Sequence, residues 1–171
     1  MQLKEMITAD EIASIVRRMG TEISRDYEGK ELLVVCVLKG SAIFFADLVR
    51  RLTCTTEMDF VRLTSYGANV TSSGNVVMTK DLDSCIEGRH VLIVEDIIET
   101  GHTTRFLVDL LANRRPASLK ICTLLKKNVP EKPEIVVDYL GTAIEDRFVV
   151  GYGLDLNEKF RNLPSVCFLE K

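Results

Sequence analysis

The run Val91-Leu92-Ile93-Val94-Glu95-Asp96-Ile97-Ile98-Glu99-Thr100-Gly101-His102-Thr103-Thr104 sets the architecture expected of this 171-residue chain. It opens with four aliphatic residues, the pattern of a strand buried on both faces of a parallel sheet. Glu95 and Asp96 fall where that strand should end. Small residues follow, and then Phe106, Leu107, Leu110 and Leu111 recur at helical spacing. The order is strand, acidic pair, turn, helix. Free backbone N–H groups at the start of a helix suit a phosphate. Carboxylates beside them suit sugar hydroxyls, as an acidic residue serves ribose in dinucleotide folds. An unpaired charge at the edge of a buried strand is costly without a task. An ordinary βα turn with solvated acids is the other reading of the same residues. The chain has no Gly-x-Gly-x-x-Gly and no Gly-Lys-Ser/Thr, which argues against dinucleotide and P-loop sites.

The same grammar recurs on both sides. Residues 32–38 form a second apolar strand ending in Lys39-Gly40-Ser41, and Ile43, Phe44, Leu48 and Leu52 continue as a helix. That predicts a right-handed parallel crossover. Residues 119–125 are another buried strand, closed by Lys126-Lys127-Asn128. Upstream, Thr8-Ala9-Asp10-Glu11 is a capping box leading into the helical face Ile12, Ile15, Val16, Met19 and Ile23. Strands at 58–64 and 75–79 bracket a polar, small-residue stretch from Ser65 to Gly74, the composition of a flexible flap. Residues 129–133 are a breaker-rich loop, and 135–140, 148–152 and 166–169 read as further strands. The expectation is one α/β domain over residues 1–171, an open, mainly parallel twisted sheet flanked by helices. Ligands belong at the carboxyl ends of its strands.

Composition narrows the classes further. A formal net charge of −3 leaves no overall electrostatic footprint for nucleic acid. No apolar run approaches the roughly 18 residues a membrane span needs. The opening Met1-Gln2-Leu3-Lys4-Glu5-Met6 carries acid early and lacks an apolar core, so it is not expected to act as a secretory signal. The cysteines at 36, 54, 85, 122 and 167 are odd in number and form no Cys-x-x-Cys. They read as reduced thiols of a cytoplasmic protein, with Cys36 and Cys122 inside apolar strands as small hydrophobes.

The central run closely resembles the phosphoribosyl-pyrophosphate motif of the type I phosphoribosyltransferases, and within them it is most similar to the hypoxanthine-guanine members. The resemblance extends from about residue 32 to residue 168. It implies the parallel sheet above, plus a small hood from the terminal segments and a flap. It also implies transfer of the 5-phosphoribosyl group from phosphoribosyl pyrophosphate to N9 of hypoxanthine or guanine, with Mg²⁺ as cofactor, in purine salvage. The implied partners are those small molecules alone, in a cytoplasmic homodimer or homotetramer without nucleic acid or membrane.

Residue by residue, the resemblance gives Glu95 and Asp96 the ribose hydroxyls. The backbone and hydroxyls of Thr100, Gly101, His102, Thr103 and Thr104 receive the 5-phosphate. Lys39-Gly40 matches the pyrophosphate loop, which in the family carries a cis peptide before the Lys. Lys127 matches the donor to the purine 6-oxo group. Phe148 would stack on the base, and Val149 would read it through its backbone. Asp155 would hold Mg²⁺, with Glu95 and Asp96 as further ligands, and Arg161 would engage pyrophosphate. Ser65-Tyr66 matches the pair that opens the flap. Glu99 stands where the family mostly has Asp, placed to accept the purine N7 proton, and His102 stands where Lys is common. Several of these residues also admit plainer readings: Lys39 as a surface lysine, Phe148 as core, Glu99 as a carboxylate at a helix start, His102 as a solvent-facing side chain, and Asp155 and Arg161 as parts of a charged turn. A pyrimidine-operon type RNA-binding regulator would want a basic face, and an adenine enzyme would not place a lysine opposite the 6-position.

Overall fold

The structure, a computed structural model, describes residues 2–66, 75–129 and 135–170. Nine strands and three helices occur among them: β1 (Gln2–Ile7), α1 (Ala9–Asp26), β2 (Glu31–Leu38), α2 (Ala42–Val49), β3 (Thr55–Tyr66), β4 (Asn75–Lys80), β5 (His90–Ile98), α3 (His102–Ala112), β6 (Ser118–Lys127), β7 (Tyr139–Ile144), β8 (Val149–Val150) and β9 (Val166–Glu170). The main sheet runs β4-β3-β2-β5-β6-β7, parallel throughout except for the antiparallel β3–β4 pair. A separate antiparallel sheet of order β1-β9-β8 joins the two termini, the hood that the resemblance implied.

The core follows from the pleat. Along β2 and β5, Leu32, Val34, Cys36, Leu92 and Val94 pack on one face with α1 and α2. Leu33, Val35 and Ile93 pack on the other with Leu107 and Leu111 of α3. A strand covered on both faces must be apolar at every position, which is why these two read as continuous runs. Helix α1 begins on the expected capping box: Glu11 N–H donates to Thr8 Oγ1, and Thr8 N–H donates to the Glu11 carboxylate. Cys36 and Cys122 are buried in strands β2 and β6, and all five cysteines are free.

Three expectations about strands need correction. The segment 135–140 forms no strand until residue 139. Asp138 intervenes: its N–H donates to the Ile121 carbonyl while its carboxylate takes the Ile121 N–H at 2.8 Å, so one side chain replaces a ladder partner. The segment 148–152 keeps only Val149–Val150 as strand, because Gly151 turns the chain at φ 96. A side chain at Gly151 would come within 2.1 Å of the Ser165 carbonyl. Residues 2–7, unread as a strand, form β1, whose sparse apolar pattern is completed by pairing with β9. The loop from Gly67 to Gly74, expected to be the flap, lies outside the described residues, as does most of the breaker-rich loop at 129–133.

Candidate active site

Lys39-Gly40, the run from Glu95 to Thr104 and Lys127 lie at the carboxyl ends of β2, β5 and β6. Where β5 ends, Glu95 is buried and accepts a hydrogen bond from the Thr104 hydroxyl at 3.4 Å. Gly101 then turns the chain at φ 78 into α3. The N-cap Gly101 offers no side chain, and only the Thr100 hydroxyl reaches the helix start, accepting from the His102 N–H at a long 3.5 Å. Glu95, Glu99, Thr100, Gly101, Thr103 and Thr104 line a hollow of about 240 Å³ in front of that helix start. His102 is exposed. A larger hollow of about 850 Å³ opens between β1, α1 and β7, and part of its charged rim is already engaged. Glu11 is spent on the α1 cap, and Arg147 pairs with Glu145 and lies over the Phe168 ring.

Burial drives the Glu95 carboxyl well above the usual range, and the nearby Asp96 charge adds to this. Burial also pushes Asp96 up to about 6, against the pull of a hydrogen bond from the Ile97 N–H. The two acids diverge in what they face. Glu95 lines the α3 hollow, whereas the Asp96 carboxylate packs on Gly40. A Cβ at Gly40 would stand 1.8 Å from Asp96 Oδ2, so any larger residue there would displace the Asp96 carboxylate. Gly153 is equally constrained: its φ is 100, and a Cβ would meet the Gly40 carbonyl at 2.0 Å. These close approaches hold together the Lys39-Gly40 turn, the end of β5 at Asp96 and the segment from Gly153 to Arg161. The peptide between Leu38 and Lys39 is cis, as in the resembling family.

Arg161 donates to the Gly153 carbonyl at 2.7 Å and pairs with Asp155 at 2.9 Å. Its buried Nε has no partner among the described residues. Glu158 bridges two cations, reaching Arg161 at 3.2 Å and Lys39 at 2.9 Å. Its own N–H donates to Asp155, a contact that its left-handed backbone, at φ 65, makes possible.

Lys127 closes the other end. Its side chain is only 8 % exposed, with Glu99 at 2.6 Å and Asp146 at 3.3 Å. Burial alone would lower its pKa, but the two carboxylates outweigh that and hold the ammonium above the usual lysine range. Phe148 is 51 % exposed, which removes its reading as core, while Val149 is buried and pairs with Phe168. Ser65 stands exposed at the end of β3, and the Tyr66 side chain lies outside the described residues. Asp155, Glu95 and Asp96 do not form a ready-made metal cage. Among the described residues no three His, Cys, Asp or Glu side chains converge on a point that would hold an ion. Sequence reasoning passed over Glu158 and Asp146. One sits in a run of charges and the other in an acidic loop, and nothing local marks either.

Residues 4–157 match the phosphoribosyl transferase domain family. The chain belongs to that family. Within it, the hypoxanthine-guanine phosphoribosyltransferase of Staphylococcus aureus is 45% identical over 169 residues, covering 98% of this chain and 94% of its own length. The bifunctional protein TilS/HprT of Listeria monocytogenes is 46% identical over 98% of this chain, which spans 26% of that longer protein. A crystal structure of hypoxanthine-guanine phosphoribosyltransferase from Bacillus anthracis matches with a TM-score of 0.93 at 40% identity, over 98% of both chains. The phosphoribosyltransferase fold expected from the central run is therefore the one found. Among the described residues no helix is long and apolar enough to cross a membrane.

Proposed function

We propose that the chain is a purine-salvage phosphoribosyltransferase, moving the 5-phosphoribosyl group from phosphoribosyl pyrophosphate to N9 of hypoxanthine or guanine. The products are IMP or GMP and pyrophosphate. The observation that carries this reading is the Glu99–Lys127 pair at the rim of the α3 hollow. It sets an acid for a proton and a cation for a carbonyl side by side, 2.6 Å apart.

In this reading the 5-phosphate takes the first N–H groups of α3 and the hydroxyls of Thr100, Thr103 and Thr104. Glu95 and Asp96 accept from the ribose hydroxyls. Lys39 and Arg161 engage the pyrophosphate, Arg161 with its fork of donors, after Glu158 gives way. Phe148 stacks on the purine, Val149 reads it through its backbone, and Lys127 donates to its 6-oxo group. As the bond from C1′ to the pyrophosphate oxygen breaks, the electron pair leaves with pyrophosphate and N9 bonds to C1′. Glu99 accepts the proton released from N7.

A divalent cation suits this edge. Its donors are hard oxygens, no cation offsets the raised Glu95 carboxyl, and Arg161 only partly offsets the burial of Asp96. Fewer than three converging carboxylates match an ion that completes its shell with water and substrate oxygens. Asp155 would hold Mg²⁺ directly or through water, with Glu95 and Asp96 as nearby ligands. Bound there, it would neutralise charge on the leaving pyrophosphate. A cytoplasmic homodimer or homotetramer belongs to the same proposal, and analytical ultracentrifugation of the purified chain tests the assembly.

The function is tested with purified protein, phosphoribosyl pyrophosphate and a purine panel, with and without Mg²⁺, following nucleotide formation. IMP and GMP should form from hypoxanthine and guanine, adenine should give nothing, and chelating the metal should stop the reaction. Absence of product from every 6-oxopurine would overturn the reading.

A further inference from the structure

Strand β6 lies between β5 and β7, and Lys127 is its last residue. Each neighbouring strand sends one carboxylate to the Lys127 ammonium, Glu99 from beyond β5 and Asp146 from beyond β7. The cation is nearly buried while both partners are mostly exposed. Glu145, beside Asp146, is turned to Arg147 at 3.1 Å instead.

The chemistry above asks Glu99 to leave. A carboxylate oxygen 2.6 Å from an ammonium is engaged, yet N7 needs it. A 6-oxo group entering to take a Lys127 proton displaces Glu99. That group is neutral, and stripping the counter-charge from a nearly buried ammonium is costly. Asp146 is the charge that stays. It also precedes Phe148 and Val149 in one loop, so the segment that covers the base carries the anchor of its selector.

We propose that Asp146 is a positioning residue for base selection, holding Lys127 while the purine 6-oxo group takes the place of Glu99 and so releases Glu99 toward N7. The inference rests on the phosphoribosyl-transfer reading. It makes recognition and proton acceptance one event. A 6-amino purine turns donors toward the ammonium, leaves Glu99 in place and goes unreacted.

Two measurements test it. In steady-state kinetics Asp146→Asn should raise KM for hypoxanthine and guanine about 5–10-fold, with KM for phosphoribosyl pyrophosphate within about twofold of wild type, and Asp146→Glu should restore the purine KM. In the ligand-free protein, Glu99→Gln combined with Asp146→Asn leaves the ammonium without a carboxylate. The double variant should lose folding equilibrium about tenfold beyond the product of the single effects. Unchanged purine kinetics in Asp146→Asn, equal effects on both substrates, or additive stabilities would overturn the role of Asp146. An inactive wild type would instead strike the functional reading itself, so the two failures are told apart.

Discussion

The two ends of the cleft solve the same problem in different surroundings. At the base end one nearly buried cation, Lys127, sits between two carboxylates. At the pyrophosphate end two more exposed cations, Lys39 and Arg161, share one carboxylate, Glu158. In both places an acid of the chain occupies a cation that a ligand would claim. Solvent makes the difference. An exposed pair is screened and worth about 0.2–1 kcal/mol, whereas a nearly buried cation stripped of partners costs several times that. Glu158 can therefore be a filler that yields readily to an anion. Glu99 can leave only if Asp146 remains, and on leaving it has a proton to accept.

This contrast fixes the sign of its own tests. Glu99→Gln should lower kcat by about 10²–10⁴-fold while hardly moving the affinity for phosphoribosyl pyrophosphate, measured by single-turnover kinetics and calorimetric titration. If Glu99 were a filler like Glu158, its amide would instead relax the site, and turnover would hold. Next in size, Lys127→Ala should lower kcat/KM for 6-oxopurines by about 10–100-fold, the loss of one charged hydrogen bond, with phosphoribosyl pyrophosphate binding intact. Lys39→Ala should show the reverse pattern, and a variant that weakens both substrates alike would erase the distinction between the ends.

Asp96 lies between the two ends and links them to pH. Its folded pKa, about 6, lies above the ordinary aspartate value, so the folded state binds the extra proton. The stability this group contributes is full below the unfolded pKa and is lost as pH rises through 6. Asp96→Asn should thus gain stability over wild type between about pH 4 and 7, approaching 3 kcal/mol at the upper end, as chemical denaturation at each pH will record. A constant difference across that range would show that burial does not hold the proton. The smallest effect belongs to Glu158→Gln. Freeing Lys39, and leaving Arg161 with Asp155 as its acidic partner, should tighten pyrophosphate about 2–5-fold by calorimetry, and weaker binding would make Glu158 a support rather than a competitor.

What could be read from residues alone follows the same division. The β5 run and the turn after it were legible because buried strand, acidic pair and small-residue turn are all local signals. The β2 strand with its Gly40 was legible for the same reason. Strand β7 was placed too early because an apolar run at 135–137 looks like a strand until Asp138 is seen taking the ladder's hydrogen bonds. Gly151, likewise, ends its strand for a reason that lies in the distant Ser165 carbonyl. Asp146 and Glu158 were invisible because their partners come from other strands and loops. Lys127 was marked only by resemblance, and its near burial between two acids is a product of strand order.

The central claim is that Glu95 and Asp96 meet a sugar's hydroxyls while its phosphate rests on the start of α3. A crystal structure with phosphoribosyl pyrophosphate and Mg²⁺ tests it most directly. The 5-phosphate should fill the hollow lined by Thr100, Gly101, Thr103 and Thr104, with both ribose hydroxyls on the acidic pair. A ribose phosphate bound at any other place, with those two carboxylates untouched, would contradict the account.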